Sequence, residues 1–438
     1  MDKKTSSNRK RSNIISALKR KNLNLKKELQ KHMDSEILTT EQESHLLNLE
    51  KDITRCANFS LYGQTPEGIK YFGSCFCGSK VCFVCNYARQ KRIRRKYFKW
   101  FALNRELVQC SKNDKTKIVS ETLFQEKFKL SGWNFVTRLH FDLMHLTLTV
   151  PHYLNGFRGE KYYFKTIADL FHNLRNENPD FGKYCYGGEY GIETTKTPAN
   201  GLHIHIHALL FVRSTSQNRN HLHKIILQGW NKLTVNPDSP RRELNYETRQ
   251  KIKASNKLIN DSFIDSLNPQ GTTLINLETI YSLQQGQKVR VKEYNSPEMM
   301  KAVLETIKYH FAPLAFDKGN QTFDIELMKE LLPVIYRKQL YKKFGCIHGE
   351  KSLNIREDGT DILIEDFQDG INPETGEIIS EIEYFICNPA IIYHNPQKDN
   401  EIILSHQAKR QRRKISAINT TEAINQMANI VKKSFHKN

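Results

Sequence analysis

The residues of this sequence best suited to chemistry are three histidines at alternate positions, His203, His205 and His207. Side chains two residues apart on a β-strand point to the same face, so a strand here places three imidazoles in one row. The residues between them are apolar and suit the opposite, buried face. A buried imidazole needs a polar partner, and imidazole is a common metal ligand. The pattern therefore favours a metal site over a merely polar strand face.

A second strand is predicted just before the histidines, over residues 185–195, and Asn200 with Gly201 supplies a turn signal between the two. This strand carries Glu189 and Glu193. In a hairpin, facing side chains lie close enough for a carboxylate to complete a metal site. The alternative for each glutamate is a solvent-facing charge at the edge of a sheet.

A group of cysteines lies upstream, where Cys77, Cys82 and Cys85 form the pattern C-x4-C-x2-C. Close thiols in a reducing compartment are typical of a tetrahedral Zn²⁺ site with a structural role. The fourth ligand is Cys56 or Cys75. We favour Cys56, because Cys75 and Cys77 are separated by one residue, an awkward spacing for binding one ion.

The residues that follow the cysteines, 86–101, interleave cations with apolar and aromatic side chains. This predicts a helix with one packed face and one cationic face, and the cationic face suits contact with phosphates. The predicted DNA-binding residues are Arg89, Arg92, Arg94, Arg95 and Lys96.

The clearest helix signal covers residues 296–312, where Ser296 suits the N-cap and Pro313 ends the helix. Glu305 and Tyr309 are four residues apart on it and therefore share a face. Taken alone, this tyrosine would be a core aromatic residue and this glutamate an exposed charge.

The composition points to a polyanionic partner. The chain has 438 residues and a formal net charge of +20, and its length suggests two to four domains. No signal peptide or membrane-spanning apolar run is found, which predicts a cytoplasmic protein that does not contact a membrane. Residues 1–21 are predicted to be a basic mobile arm or a solvated tail, and residues 111–134 a linker or insertion.

Taken in order, these motifs resemble those of rolling-circle plasmid replication initiators, which belong to the HUH (His, hydrophobe, His) endonuclease superfamily. The resemblance covers roughly Cys56 to Gly345, with gaps. The matching motifs are Cys56 with Cys77, Cys82, Cys85 and the basic helix, then Thr147-Leu148-Thr149, Glu193-Thr194-Thr195, NGLHIHIHAL at 200–209, and Glu305 with Tyr309. Ile204 stands where the family usually has proline, and Ala312 where it tends to have lysine.

The resemblance implies that His205, His207 and Glu193 hold a catalytic Mg²⁺ or Mn²⁺ ion, with His203 and Glu189 as further candidates. It implies that Tyr309 attacks the scissile phosphate and forms a 5′-phosphotyrosine link, leaving a free 3′-OH primer. Glu305 would activate water or a hydroxyl at termination.

The implied function is that of a bacterial plasmid replication initiator, a nickase that binds origin DNA in single-stranded or hairpin form. The host replication helicase and polymerase would be its partners. One alternative is an HUH transposase or relaxase with the same chemistry. Another is a non-catalytic, zinc-dependent DNA-binding regulator.

The implied fold is α+β, with a central antiparallel β-sheet and helices on one face (the HUH endonuclease fold), a small zinc-binding module before it and helical extensions around it. The expected division of the chain is 1–55, a basic arm and helical extension; 56–110, the cysteine-rich zinc module with the basic helix; 135–320, the catalytic domain; and 321–438, a basic C-terminal extension.

Overall fold

The structure is a computed structural model. The residues that it describes are 3–35, 37–65, 68–150, 160–197, 201–234, 246–256, 258–266, 276–281, 316–317, 322–325, 328–329, 332, 341–353, 382–395, 401–416, 422–423, 425–427 and 429–430.

The helices are α1 (Lys3–Ser35), α2 (Thr40–Arg55), α3 (Phe83–Leu103), α4 (Glu121–Leu123), α5 (Glu160–Asn176), α6 (Phe181–Tyr184), α7 (Ser216–Thr234), α8 (Tyr246–Ser255), α9 (Asp261–Ser266) and α10 (His406–Gln411). A π-helical turn (Phe124–Phe128) and a 3-10 turn (Lys129–Ser131) follow α4, and another 3-10 turn covers Pro389–Ile391.

The strands are β1 (Ser60–Thr65), β2 (Gly68–Ser74), β3 (Leu107–Lys112), β4 (Lys115–Ser120), β5 (Asn134–Leu139), β6 (Phe141–Thr149), β7 (Cys185–Thr197), β8 (Gly201–Arg213), β9 (Asn276–Tyr281), β10 (Phe316–Asp317), β11 (Thr322–Phe323), β12 (Tyr341–Gly345), β13 (Glu383–Cys387), β14 (Ile392–Asn395), β15 (Glu401–Leu404) and β16 (Arg413–Ile415). The fold is therefore α+β with antiparallel sheets, as predicted.

The described residues fall into two compact units. Unit 1 contains those within Met1–Arg89, Phe316–Arg337 and Arg356–Asn438, and unit 2 those within Gln90–Ala315 and Lys338–Ile355. The four-part division expected from the sequence stays a prediction. Within the described part of the chain, no helix is both long and apolar enough to cross a membrane.

Unit 1 contains a four-stranded antiparallel sheet in the order β16-β13-β1-β2. Strand β13 therefore pairs with a strand that lies more than 300 residues earlier in the chain, through the partners Ser60 and Cys387. Side chains from both stretches, such as Leu61 and Ile386, share one hydrophobic cluster. Helix α2 begins with a capping box between Thr39 and Gln42, which satisfies backbone N–H groups at its N-terminus.

Helix α1 corrects the prediction of a mobile basic arm, because it already begins at Lys3. Lys19 on this helix is completely buried. Its ammonium group donates to the backbone carbonyls of Ile53, Thr54 and Cys56, where α2 ends. A buried cation is tolerated here because it satisfies carbonyls that a helix C-terminus leaves without partners.

Unit 2 is built on a five-stranded antiparallel sheet in the order β12-β7-β8-β6-β9. The predicted hairpin is confirmed as β7 and β8, and the motif Thr147-Leu148-Thr149 lies at the end of β6. The central strands of a sheet that is covered on both faces carry apolar side chains on both faces. Accordingly, four successive residues of β8 are fully buried: Leu209, Leu210, Phe211 and Val212.

Helices cover both faces of this sheet, so the predicted placement on one face is wrong. Trp100 of α3 packs against Phe211 on one face, with ring centroids 5.4 Å apart. Phe171 of α5 packs against Tyr190, with ring centroids 4.9 Å apart. Tyr190 pairs with Ala208, whose side chain alternates with that of Phe211 along β8, and therefore lies on the opposite face. The aromatic residues that the sequence places among cations on α3 are what cover the second face.

Residues 111–134, predicted to be a linker or insertion, contain regular secondary structure, so the linker alternative is wrong. Strands β4, β3 and β5 form a three-stranded antiparallel sheet in that order, and the turns after α4 pack on it. The hairpin between β3 and β4 closes through Asn113 and Asp114, both with positive φ, between the paired residues Lys112 and Lys115. Two such residues are typical of the tight turn that matches the twist of a hairpin.

Candidate metal centres

The β7–β8 hairpin positions the first candidate centre. Its register sets Glu193 opposite His205 and Gly191 opposite His207. Directly paired residues of an antiparallel sheet project their side chains to the same face, so one carboxylate and two imidazoles meet there. The glycine opposite His207 leaves the space above that position without a competing side chain.

The three side chains converge on one point. A single carboxylate oxygen of Glu193, Oε2, lies 3.0 Å from Nε2 of His205 and 3.0 Å from Nε2 of His207. The ligand atoms of the three residues all lie within 4.8 Å of one another. Their side chains are 8–15% exposed, so the group is mostly sheltered from solvent. We call these three residues the Glu-His-His cluster.

The charge state of the cluster follows from its burial and contacts. Burial alone would raise the pKa of Glu193, but hydrogen bonds and positive charge from His205 and His207 outweigh it and lower that pKa to about 2. Burial also lowers the pKa of His207, which favours the neutral imidazole. An ionised carboxylate and a neutral imidazole are the forms that bind metal ions.

His207 is also held from its other nitrogen. Its Nδ1 lies 3.1 Å from Nε2 of His145 and 3.2 Å from the hydroxyl oxygen of Thr147, which is its partner across the β6–β8 pair. The His145 ring stacks on the His207 ring, with centroids 5.3 Å apart. These contacts orient the imidazole so that Nε2 faces Glu193. The sequence prediction did not assign this role to His145, although alternation along β6 places it on the same face as Thr147.

Glu189, the other carboxylate considered as a ligand, lies apart from the cluster. It is completely buried and accepts hydrogen bonds from the hydroxyls of Tyr97 and Tyr341. Burial raises its pKa to about 8, against the opposing effects of the Tyr97 hydrogen bond and the Lys343 charge. A carboxyl group that is protonated at neutral pH is a poor metal ligand.

For three other predicted site residues, His203, Glu305 and Tyr309, the structure describes no side-chain position. His203 lies on β8 opposite Thr195, but its side chain falls outside the described residues. The predicted helix at 296–312, with Glu305 and Tyr309, also lies outside the described residues.

The second candidate centre, in unit 1, brings together Cys56, Cys77, Cys82 and Cys85, and we call it the four-cysteine cluster. Its Sγ–Sγ distances include 3.3 Å from Cys82 to Cys56 and 3.5 Å from Cys85 to both Cys56 and Cys77. Four sulfur atoms so close to one another match the tetrahedral arrangement that Zn²⁺ takes in structural sites. Cys75 is not a member, because it packs in the hydrophobic cluster of the unit 1 sheet.

The surroundings of the four-cysteine cluster favour the thiolate at Cys82, whereas burial and the neighbouring thiols raise the pKa values of Cys56 and Cys77. Burial opposes ionisation, but hydrogen bonds from the other three thiols hold the pKa of Cys82 well below its usual value. Asn22 of α1 donates from Nδ2 to the sulfur of Cys82 at 3.1 Å, and its Oδ1 accepts the N–H of Phe83 at 3.0 Å. Helix α1 thus supports the cluster through Asn22 and through Lys19, which donates to the carbonyl of Cys56.

The predicted DNA-binding residues of α3 differ in exposure. Arg89 and Arg92 are each only 7% exposed. Arg89 donates to the carbonyls of Gly78 and Ser79 and to Asn86, so it braces the loop between the cysteines. Arg94 is exposed and Lys96 is half-buried, whereas the side chain of Arg95 lies outside the described residues. Of the described side chains in this set, Arg94 and Lys96 are the ones able to meet phosphates.

Comparison of the chain with models of protein families, with curated proteins and with solved structures finds no match.

Proposed function

We propose that this chain is a rolling-circle replication initiator with an HUH endonuclease fold, which nicks one strand of origin DNA by metal-assisted tyrosine attack. The observation that carries the proposal is the convergence of Glu193, His205 and His207 on adjacent central strands, with the two imidazoles 3.0 Å from one carboxylate oxygen. A packing role explains such a group poorly, because it brings three polar side chains together in a sheltered site. The order of the sequence motifs supports the choice of reaction.

The donor set fits a divalent cation. One ionised carboxylate and two imidazoles bind Mn²⁺ readily and tolerate Mg²⁺. When bound, such a cation polarises a phosphate oxygen and helps to orient the scissile group. Glu193 supplies the negative charge, and His205 and His207 supply neutral nitrogen ligands. Thr147 and His145 keep His207 turned toward this point.

The nucleophile in this proposal is Tyr309, with Glu305 on the same helical face. Its phenolic oxygen forms a bond to phosphorus, the bond from phosphorus to the 3′ oxygen breaks, and that oxygen takes up a proton. The products are a 5′-phosphotyrosine link and a free 3′-OH, which a host polymerase extends behind a helicase. Glu305 then activates water or a hydroxyl that resolves the link.

DNA binding is assigned to the cationic face of α3, through Arg94, Arg95 and Lys96, by contacts to phosphates. The four-cysteine cluster would hold Zn²⁺ and keep the first part of this helix in place. It has no reacting group of its own among the described residues, so its role is structural.

The experiment that tests the function is a search for a covalent protein–DNA adduct. The full chain is incubated with Mn²⁺ and single-stranded oligonucleotides that tile the DNA flanking its gene, and the products are separated under denaturing conditions. We expect one oligonucleotide to form an adduct whose linked peptide contains Tyr309. Tyr309→Phe should abolish it, and Glu193→Gln should reduce its rate by more than about a hundredfold, since a metal ligand is lost.

Glu189→Gln is the matched control, because it changes a glutamate of the same strand that lies outside the cluster. Its adduct should form at the normal rate near neutral pH. A Tyr309→Phe variant that still forms the adduct would refute the assignment of the nucleophile. If no oligonucleotide reacts although the chain binds DNA, the chain is instead a non-catalytic regulator.

A further inference from the structure

One face of the small sheet of β4, β3 and β5 packs at its centre against the turns that follow α4. Lys117 and Phe135 both pair with Cys110, so the three side chains form one row across the sheet. In the next row, Arg138 pairs with Val108. A helical turn covers the middle of this face and leaves both outer strands at its edges. Phe135 is 51% exposed there, and its neighbour Val136 is 48% exposed.

Aromatic rings and cations alternate along this face. The Lys117 ammonium lies 5.5 Å from the Phe128 ring centroid and 5.4 Å from the Trp133 ring centroid. The guanidinium of Arg138 lies 5.9 Å from the Phe135 centroid, and the Phe135 ring meets Phe124 edge to face. Contacts of this kind hold the cations and the rings in fixed positions relative to each other.

The charge of this region is positive. Lys112, Lys115 and Lys117, at the tip and edge of the β3–β4 hairpin, are all exposed. Two nearby carboxylates are already engaged, since Glu106 and Glu121 lie 3.7 Å and 3.6 Å from the Arg138 guanidinium. Asp114, exposed at the tip of the same hairpin, offsets one of these charges, and the three lysines still leave a net positive field for an approaching ligand.

We propose that this face binds single-stranded DNA, with a base stacked on Phe135 and the backbone phosphates along Lys117 and the hairpin lysines. An exposed ring beside cations is the combination that single-strand binding proteins use, because every base has a π-face and every nucleotide a phosphate. Bases within a duplex are already stacked and cannot reach the ring. The assignment rests on the proposed function only for the source of the strand, which is the one displaced at the nicked origin.

The test measures binding of the full chain to a fluorescent oligo(dT) of about 20 nucleotides. No Mg²⁺ or Mn²⁺ is added, so that no cleavage occurs and the zinc of the four-cysteine cluster is kept. Phe135→Leu keeps an apolar side chain but removes the ring, and it should weaken binding about tenfold, whereas Phe135→Tyr should bind normally. Log affinity falls with log salt concentration, and Lys115→Gln combined with Lys117→Gln should make this negative slope shallower by roughly one.

Two matched controls show whether the effect belongs to this face. Val136→Ala alters the exposed apolar neighbour of Phe135, and Lys342→Gln removes an exposed lysine from a different strand of unit 2. Both should leave oligo(dT) affinity and the salt slope unchanged. Far-ultraviolet circular dichroism and the melting temperature of each variant confirm that its fold is retained.

Unchanged oligo(dT) binding in Phe135→Leu and in the double lysine variant would overturn the proposal and assign the face to a protein partner. Equal weakening of duplex and single-strand binding by Phe135→Leu would also overturn it, because the ring would then not be reading unstacked bases. The assay needs neither Mg²⁺ or Mn²⁺ nor Tyr309. Loss of oligo(dT) affinity in Phe135→Leu would therefore support this face even if no covalent adduct forms, in which case nicking alone is refuted.

Discussion

The two candidate metal centres differ in how completely side chains surround the place for an ion. The four-cysteine cluster offers four sulfur ligands, enough to fill a tetrahedral coordination shell. Among the described residues, the Glu-His-His cluster offers three ligands, one fewer than the four-cysteine cluster. In exposure the two clusters are similar, since each has buried members and one half-buried member, Glu193 in one and Cys77 in the other.

This difference supports the different roles that we propose for the two centres. A closed shell leaves no position for a substrate, so an ion there can only hold the protein together. An incomplete shell leaves positions that a phosphate oxygen or water can take. The neighbours agree, since Lys19 and Asn22 tie the cysteines to α1, whereas Thr147 and His145 act on the orientation of a single ligand.

The largest effect is expected from opening the four-cysteine cluster. Cys82→Ser combined with Cys85→Ser should remove about one bound zinc per chain and unfold unit 1, because structural zinc contributes on the order of 10 kcal/mol in small zinc modules. Elemental analysis and thermal unfolding measure the two results. Cys75→Ser is the control, since Cys75 lies outside the cluster, and it should keep its zinc. Full zinc content in the double variant would show that the four-cysteine cluster does not hold the zinc, and it would contradict the structural role of this centre.

A smaller effect is expected at Glu189, and it tests whether this residue lies outside the Glu-His-His cluster. Glu189→Gln should leave Mn²⁺ affinity unchanged but alter the dependence of stability on pH. In the folded protein, burial raises the pKa of Glu189 to about 8 from its ordinary value of 4.5. Its contribution to stability is therefore fully present below about pH 4.5 and is lost as pH rises toward 8.

Above about pH 8 this loss amounts to roughly 3–5 kcal/mol, and the neutral glutamine should not suffer it. The measurement is the free energy of unfolding in urea at about pH 5, 7 and 9. Glu383→Gln changes an exposed carboxylate with a lowered pKa and should not flatten the profile. Parallel profiles for the wild type and Glu189→Gln would show that Glu189 is ionised when folded, and it would again be a candidate ligand.

The smallest effect is expected at Thr147, which touches a ligand and not the ion. Thr147→Val keeps the shape of the side chain but removes the hydroxyl 3.2 Å from His207 Nδ1, and it should weaken Mn²⁺ binding about tenfold. Thr147→Ser keeps the hydroxyl and should bind normally. Calorimetric titration at fixed pH gives both affinities. Equal affinities for the valine and serine variants would show that the hydroxyl does not orient His207.

Local patterns in the sequence were enough to predict much of the hairpin that carries the Glu-His-His cluster. Alternation along β8 identifies the strand and the face of its histidines, and a hairpin turn brings Glu193 opposite them. The choice of Cys56 over Cys75 followed from spacing alone and agrees with the four sulfur atoms that the structure brings together. Both cases depend on residues that are close in sequence or joined by a short turn.

Features that depend on distant packing could not be predicted in this way. In the sequence, Arg89 and Arg92 look like surface cations, because the sequence does not distinguish a buried arginine from an exposed one. Arg89 is buried because the 78–79 loop lies where its carbonyls can accept hydrogen bonds from the guanidinium. The aromatic residues of α3 did not reveal which sheet face they cover. Likewise, nothing local in β1 indicates its pairing with β13.

That pairing has a consequence for protein synthesis. The side chain of Asn388 donates a hydrogen bond to that of Asn58, 330 residues earlier. During synthesis, β1 therefore cannot pair with β13 until the ribosome has translated these later residues. At about 5–20 residues per second, the wait lasts roughly 15 to 65 seconds. During that time the nascent chain presents an unpaired strand edge beside the cysteines, which chaperones must shield from neighbouring chains. Protease digestion of chains arrested at about residue 355 should therefore cleave near β1, and resistance there would show that this edge is covered before β13 emerges.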